Sequence, residues 1–303
     1  MNETRRAVPS VESYFRSVGI RADQDENGFW ERLRKRYGPL AEHLAQAISA
    51  REEGQEVDVY ALKNTTLPLS IAVTAQYCSR MYREFLGWFL HQRFPGPRAL
   101  MDVGCDNGIL TCFYAALYRE AEVVGVDRGA AGIACARELA ERLGLTNVRF
   151  EVRDLLGLAG AFPDRSFDCM VSTTVFHEVL GFPEGGPGHR GRSLEDGAVG
   201  AEESASVKVV TDLVRLLPDE VGTVISMERC PDATTLAWWI RVLNRAGLSV
   251  VPDRSGCLKF CDADGAEEML PIVVAVRDPR PAAPARQDML AFPWYDDDED
   301  IPR

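Results

Sequence analysis

Residues 99–127 read ALMDVGCDNGILTCFYAALYREAEVVGVD, and this stretch decides the fold that the sequence predicts. It begins with a short apolar strand, Arg98 to Val103, and continues through a glycine-containing turn, Gly104 to Gly108. An amphipathic helix, Ile109 to Arg119, leads into a second apolar strand that ends at Asp127. This order of elements predicts the first half of a nucleotide-binding α/β unit.

The turn after the first strand indicates which nucleotide is bound. Gly104 and Gly108 tolerate the positive φ angles that let backbone N–H groups face a ligand. A dinucleotide site needs G-x-G-x-x-G, but Asp106 and Ile109 stand at the second and third glycine positions. Asp106 would also place a negative charge beside a pyrophosphate, so the pattern argues against NAD(P) and flavin dinucleotides. Asp127 lies about 20 residues beyond the turn, where a carboxylate accepts hydrogen bonds from ribose hydroxyls.

The same turn resembles the first motif of the class I S-adenosylmethionine (SAM) dependent methyltransferases, approximately D/E-x-G-x-G-x-G. Here it reads Asp102-Val-Gly104-Cys-Asp106-Asn-Gly108, with aspartate in place of the middle glycine. Aspartate is among the few residues tolerated in left-handed conformations, so the variant is compatible with the motif. The resemblance covers residues 98–277 and implies SAM as the cofactor. It implies cofactor contacts from residues of this motif and of the next strands: Asp102, Gly104, Cys105, Asp106, Gly108, Asp127, Arg128, Asp154, Leu155 and Thr173.

Helices and strands continue to alternate after Asp127. A helix over 130–143 is predicted to end at Gly144, and a strand over 148–154 follows. Asp154 ends that strand, where the resembled family hydrogen-bonds the adenine amino group; a surface aspartate is the alternative. Further helices are predicted over 207–217 and 233–246. Further strands are predicted over 221–228, 248–251 and 269–277, and residues 256–261 are predicted to extend the strand at 248–251. The predicted fold is a Rossmann-like three-layer α/β sandwich with a mostly parallel sheet of about seven strands, ending in an antiparallel hairpin.

The sequence predicts three regions along the chain. Residues 1–96 show helical periodicity in several pieces, over 11–18, 28–37, 40–51 and 69–94, and form a helical N-terminal cap or substrate region. Pro95, Gly96 and Pro97 mark its end. Residues 97–281 form the SAM-binding catalytic domain, and residues 282–303 form an acidic tail. In the resembled family the helix before the first strand often covers the methionine end of the cofactor, although packing alone also explains its aromatic residues.

Residues 166–178, SFDCMVSTTVFHE, resemble the fourth motif of the family, after which residues line the methyl-transfer pocket. Ligands bind at the carboxyl ends of strands in a doubly wound sheet, so the polar residues from Ser172 to Thr174 and His177 are expected to point toward the cofactor. Imidazole removes protons from hydroxyl or ammonium groups near neutral pH, which makes His177 the candidate general base. Glu178 is the competing candidate. A helix-start histidine bonded to backbone is the structural alternative.

The segment 181–206 shows no apolar periodicity and is predicted to be a long loop after the fourth strand. It carries His189, Arg190 and Arg192, which are local positive charges in an acidic protein. A lid that meets an acidic substrate and a disordered segment are the two interpretations that stay open.

Composition and charge exclude several classes of function. The chain has 303 residues, a formal net charge of −12 and 46% hydrophobic residues. Because nucleic-acid affinity depends on neutralising phosphates, no nucleic acid is expected as a partner. No apolar run is long enough to span a membrane, and the polar N-terminus resembles no signal peptide, so we expect a cytoplasmic protein without a membrane partner. The eight cysteines include no C-x-x-C pair, and no metal site is predicted.

Together these features predict a SAM-dependent methyltransferase. On resemblance, it moves a methyl group to an O, N or C nucleophile of a small or medium organic molecule in natural-product biosynthesis. A SAM-binding protein that catalyses elimination or cyclisation, and a non-catalytic subunit, are the alternatives. A homodimer is left open.

Overall fold

The structure is a computed structural model that describes residues 10–21, 28–182, 196–219, 221–261 and 267–278. Its helices are α1 (Val11–Val18), α2 (Phe29–Tyr37), α3 (Pro39–Glu52), α4 (Val59–Lys63), α5 (Leu67–Tyr77), α6 (Ser79–His91), α7 (Ile109–Leu117), α8 (Ala130–Leu143), α9 (Phe176–Leu180), α10 (Asp196–Val214) and α11 (Ala233–Arg245). Its strands are β1 (Ala99–Val103), β2 (Glu122–Asp127), β3 (Val148–Val152), β4 (Cys169–Thr173), β5 (Thr223–Met227), β6 (Leu248–Val250), β7 (Gly256–Cys261) and β8 (Glu267–Arg277). Short 3-10 helices cover Leu155–Gly160 and Pro252–Arg254.

The strands of the described residues belong to one mostly parallel sheet of eight strands. The pairs β2–β3, β1–β4 and β4–β5 are parallel, and β8 pairs antiparallel with β5 and β6. This confirms the predicted Rossmann-like α/β class. One strand differs from the prediction, because β7 is separate from β6 and pairs with β8. Pro252 has no N–H to donate to a strand ladder, and the 3-10 helix that contains it separates the two strands.

The chain forms two compact units, each assembled from separated segments. The first unit comprises Met1–Gly96, Cys105–Arg153 and Phe260–Glu268. The second comprises Pro97–Gly104, Asp154–Lys259 and Met269–Arg303.

Helix α8 is the centre of the first unit. It packs on β2 and β3 and also contacts α1, α4, α5 and α7. Its buried side chains include Ile133, Ala136 and Leu139, which recur at helical spacing, and its end at Gly144 has a left-handed φ of 66° as predicted. At Gly125 in β2, a Cβ atom would lie 2.6 Å from the Phe150 ring, so the close approach of β2 and β3 requires glycine there.

The second unit is built on β1, β4, β5 and β8, whose apolar side chains are almost all buried. Helix α11 packs on β6 and α10. Asp232 caps its first turn by accepting a hydrogen bond from the Thr235 N–H at 2.8 Å. Trp238 and Trp239 are buried at its centre, because an amphipathic helix turns its largest apolar residues toward the core.

Two predicted segments differ from the structure. The helical stretch predicted over 69–94 is two helices, α5 and α6, because the backbone leaves the helical conformation at Cys78, with φ −122° and ψ −14°. The loop predicted over 181–206 is wrong from residue 196 onward, where α10 has already begun. The residues from 196 to 206 include alanine and glutamate, which favour helix, but few large apolar residues, so helical periodicity is weak there.

Residues 183–195, which include His189, Arg190 and Arg192, lie outside the described part of the chain, and so does the predicted acidic tail. Among the helices of the described residues, none combines the length and the apolar character needed to cross a bilayer.

Candidate active site

The glycine turn has three residues in the left-handed region of backbone space. The φ angles are 72° at Gly104, 47° at Asp106 and 74° at Gly108. Asp106 therefore adopts the conformation that the sequence predicts for an aspartate in place of a motif glycine. The Gly108 N–H donates to the Cys105 carbonyl at 2.8 Å, which closes the turn directly before α7 begins.

Both motif glycines are required by packing within their own units. A Cβ atom at Gly108 would lie 2.6 Å from Ala136 Cβ in α8 and 2.9 Å from the Phe150 ring in β3. A Cβ atom at Gly104 would collide with the Val175 side chain. Larger residues at either position would displace the turn.

Asp127 ends β2, and backbone N–H groups orient its carboxylate. Oδ2 accepts a hydrogen bond from the Asp106 N–H at 3.0 Å, and Oδ1 accepts one from the Gly129 N–H at 2.7 Å. Burial and, to a smaller extent, the charge of Asp106 raise the pKa of Asp127. The two N–H donors and Lys63 lower it, but the net pKa lies above the ordinary value for aspartate. Each carboxylate oxygen has a second lone pair that could accept a hydrogen bond from a hydroxyl group.

Two residues that the sequence analysis missed hold the Asp106 carboxylate. Lys63 Nζ donates to Oδ2 and Asn64 Nδ2 donates to Oδ1, both at 2.6 Å. The side chains of Lys63 and Asp106 are 9% and 16% exposed, so the ion pair is screened little by water. Lys63 lies 43 positions before Asp106, and nothing in its local sequence indicates this contact.

The other predicted cofactor residues lie in varied environments. Asp102 is buried within β1, and Arg128 is exposed after β2. The backbone N–H of the buried Cys105 donates to the Val126 carbonyl at 3.0 Å. Asp154 lies two residues beyond β3 rather than at the end of the strand, and is exposed.

Asp154 acts as a helix cap in this structure. Its Oδ1 accepts a hydrogen bond from the Leu156 N–H at 2.9 Å, at the start of the 3-10 helix that begins with the half-buried Leu155. This cap engages one carboxylate oxygen. The contact predicted between Asp154 and adenine stays a prediction.

The end of β4 carries two features typical of functional sites. The Oγ1 atom of Thr173 is buried and has no hydrogen-bond partner within the described residues. Thr174, the next residue, has a left-handed φ of 57°, which is unfavourable for a β-branched side chain, and its N–H donates to the Met227 carbonyl at 2.7 Å. An unpartnered buried hydroxyl beside a strained residue is expected where a protein is shaped for a ligand.

His177 lies in the first turn of α9, and its side chain is 14% exposed. Its Nδ1 lies 2.9 Å from Oε2 of Glu228, and its backbone N–H donates to the same oxygen at 3.2 Å. The imidazole ring thus pairs with a carboxylate. The structural alternative, a histidine whose ring bonds to the backbone, differs from this arrangement. The neighbouring Glu178 is exposed.

Glu228 is the third functional residue, after Lys63 and Asn64, that the sequence analysis missed. It is 1% exposed and directly follows β5. Its Oε1 accepts hydrogen bonds from Ser172 Oγ at 2.9 Å and Ser226 Oγ at 3.2 Å, and these serines are register partners on β4 and β5. The predicted strand over 221–228 ends at Glu228. An acidic residue at the carboxyl end of an apolar strand is the sequence signal that could have identified Glu228 as a site residue.

The arrangement of His177 and Glu228 fixes the tautomer of the imidazole. A carboxylate only accepts hydrogen bonds, so Nδ1 carries the proton that is donated to Glu228. Nε2 then keeps a lone pair and is available to take a proton. A buried carboxylate that orients a histidine and stabilises its protonated form is the geometry by which histidine bases act on several unrelated folds.

Comparison with known proteins gives one family match and several likenesses in fold. A profile of the family described as a methyltransferase domain matches residues 98–231. The YcgJ protein from Bacillus subtilis is 13% identical with a TM-score of 0.45, and the alignment covers 65% of this chain and 99% of that chain. The ribosomal protein L11 methylase from Lactobacillus delbrueckii subsp. bulgaricus is 18% identical with a TM-score of 0.40, and the alignment covers 64% of this chain and 77% of that chain. The cyclase SpnF is 16% identical with a TM-score of 0.45, and the alignment covers 66% of this chain and 82% of that chain.

The profile match spans β1, the glycine turn, Asp127 and β4, which are the elements that carry the motif. Residues 98–231, which are less than half of the 303 residues, therefore match the methyltransferase-domain family.

Proposed function

We propose that this chain transfers a methyl group from SAM to an O, N or C nucleophile of a small or medium organic molecule, as in natural-product biosynthesis. The observation that carries the proposal is the pairing of His177 with the buried Glu228 inside a methyltransferase domain. The net charge of −12 disfavours polyanionic substrates such as nucleic acids. A cytoplasmic location and a homodimer stay predictions from the sequence.

The residues of the first unit fit the nucleoside part of SAM. Asp127 has its carboxylate oriented by two backbone N–H groups and keeps lone pairs for ribose hydroxyls. Lys63 compensates the charge of Asp106, so this aspartate does not leave an uncompensated buried charge in the turn. In the second unit, the unpartnered Thr173 hydroxyl is a further polar group that a ligand could satisfy.

When bound, SAM supplies a methyl group that is already activated by the positive sulfonium centre. The protein therefore has to align the nucleophile and, where the nucleophile carries a proton, remove it. In our proposal His177 Nε2 takes that proton, and Glu228 stabilises the imidazolium through Nδ1. Ser172 and Ser226 hold the other carboxylate oxygen, which fixes the direction of the pair.

Cofactor choice is the first test. We expect SAM and S-adenosylhomocysteine to bind in titration calorimetry and NAD(P) to show no binding, because the turn lacks the dinucleotide glycines. Mass spectrometry of ligands that co-purify with the protein is an independent measurement of the same property. Formation of S-adenosylhomocysteine with a panel of small hydroxyl and amine substrates then tests methyl transfer. Tighter binding of NAD than of SAM would contradict the proposal, and SAM consumption with a different product would indicate elimination or cyclisation.

Replacement of Asp127 by alanine is expected to weaken SAM binding by about 1.5 to 3 kcal/mol, the usual cost of losing a charge-assisted hydrogen bond. Calorimetry on the Asp127→Ala and wild-type proteins measures the difference. Glu141→Ala is a suitable control, because Glu141 is an exposed carboxylate on α8 of the same unit.

The pH dependence gives a second measurement of the same contact. Because burial raises the pKa of Asp127, the carboxylate is protonated at higher pH than a free aspartate. As the pH is lowered, the wild-type affinity should therefore begin to fall at a higher pH than the titration of a free aspartate would give. Asp127→Ala should lose this dependence. An unchanged dissociation constant in Asp127→Ala would show that the ribose binds elsewhere.

A further inference from the structure

A chain of buried and half-buried polar side chains connects α4 and α5 to the glycine turn within the first unit. We call it the turn network, and its members are Lys63, Asn64, Ser70, Thr74, Asp106 and Asn107. Besides the two bonds to Asp106, Ser70 Oγ donates to Asn64 Oδ1 at 2.5 Å. Asn107 Nδ2 donates to Ser70 Oγ and Thr74 Oγ1, both at 2.8 Å. Side-chain hydrogen bonds therefore connect two consecutive residues of the turn, Asp106 and Asn107, to the segment of α4 and to α5.

The Lys63 ammonium of the turn network has a raised pKa. Burial lowers this pKa, but the coulombic interactions with Asp106 and Cys78, the hydrogen bond to Asp106 and a smaller coulombic interaction with Tyr60 together outweigh burial. The ammonium also lies 4.8 Å from the centre of the Tyr60 ring. Removing one partner alone would leave the other charge buried and unpaired, which is strongly unfavourable.

Helix α8 confines the turn network from the other side. A Cβ atom at Gly132 would lie 3.0 Å from the Asp106 carbonyl oxygen and 3.2 Å from Asn64 Nδ2. Cys135 Sγ lies 3.3 Å from the Asn64 carbonyl oxygen. The segment with Lys63 and Asn64 is thus packed against the turn, with little room for another arrangement.

Asp106 connects this network to Asp127. Its carboxylate is held by Lys63 and Asn64, and its backbone N–H donates to Asp127 Oδ2 at 3.0 Å. Asp106 has a left-handed φ of 47°, which aspartate tolerates better than most residues but less well than glycine, and its side-chain contacts help to keep it there. The direction of its N–H, and so one of the two bonds that orient Asp127, depends on that conformation.

We propose that Lys63 and Asn64 are positioning residues for the nucleoside site: through Asp106, they hold the turn in the conformation in which Asp127 is oriented toward ribose. This inference rests on the proposed SAM binding, but its structural part concerns the protein without ligand. A role in stability alone is the competing explanation, and the experiment has to separate the two.

The experiment compares Lys63→Met, Asp106→Gly and the double variant Lys63→Met/Asp106→Gly with the wild type. Lys35→Met is the control, since Lys35 is an exposed lysine on α2 of the same unit. Three properties are measured: the melting temperature without ligand, the SAM dissociation constant by calorimetry, and hydrogen exchange of the amide of residue 106. Glycine takes a positive φ without strain, so the double variant removes both charges without adding backbone strain.

We expect each single variant to melt at lower temperature and to bind SAM about tenfold to 100-fold more weakly, as for a lost charge-assisted bond. The double variant should regain most of the melting temperature, because no buried charge is left unpaired. It should still bind SAM about tenfold more weakly, and its residue-106 amide should exchange faster than in the wild type, because the turn is no longer tied to α4. Lys35→Met should match the wild type in all three measurements.

A double variant that regains both stability and SAM affinity would overturn the inference and leave the ion pair with a stability role only. Wild-type exchange at residue 106 in Lys63→Met would overturn it as well. A wild-type protein that does not bind SAM would instead refute the proposed function, while the exchange data would still report whether Lys63 holds the turn.

Discussion

Replacement of His177 by alanine is expected to lower the turnover number of methyl transfer by about 10²- to 10⁴-fold, which is the usual contribution of a general base. The dissociation constant of SAM should stay close to the wild-type value, because His177 is proposed to act on the nucleophile. Nε2 is the reacting atom in this proposal, since Nδ1 is engaged by Glu228 at 2.9 Å. Formation of S-adenosylhomocysteine at saturating SAM and substrate measures the turnover number, and calorimetry measures the affinity.

Glu178→Ala is the matched control for this variant. The two residues are adjacent in α9, but the Glu178 side chain is exposed, whereas that of His177 is 14% exposed. We expect Glu178→Ala to keep nearly full activity. Loss of activity in Glu178→Ala with an active His177→Ala would assign the base to the glutamate. Full activity in both would show that the enzyme works by alignment alone.

The sequence predicted the elements around the glycine turn well because several local signals agree there. The apolar strand that becomes β1, the glycines and Asp127 each have their own pattern, and the predicted helix over 130–143 has the bounds of α8. The prediction failed for the start of α10, where helix-forming residues lack apolar periodicity, and for the break at Cys78, where apolar residues continue across two helices. Local patterns are informative only where propensity and periodicity point to the same element.

The candidate site was predicted in part for a related reason. Asp127 ends β2, and His177 lies in the short helix that follows β4; positions at or just after the carboxyl ends of strands can be recognised in a sequence. The partners that orient them come from distant segments: Lys63 is 43 positions from Asp106, and Glu228 is 51 positions from His177. Strand order and packing decide which side chains meet across such distances, and neither can be read from a single sequence.

Glu228 accepts four hydrogen bonds, and its replacement by glutamine is expected to have the second large effect on turnover. If glutamine replaces it, the amide oxygen can accept from the His177 N–H and Nδ1–H, and the amide NH₂ can donate to the hydroxyls of Ser172 and Ser226. Glu228→Gln therefore keeps the shape and the hydrogen bonds of the site but removes the negative charge beside the imidazole. The fold should be retained, and circular dichroism and the melting temperature check this.

Glu228→Gln is expected to lower the turnover number by about 10²-fold, because the neutral amide stabilises the imidazolium less than a charge-assisted partner does. SAM affinity should not change. Loss of turnover in a Glu228→Gln protein that keeps the wild-type melting temperature and SAM affinity would support a role through His177 rather than a purely structural one. Wild-type turnover in Glu228→Gln would show that Glu228 does not act through His177, and the base would then have to be sought elsewhere.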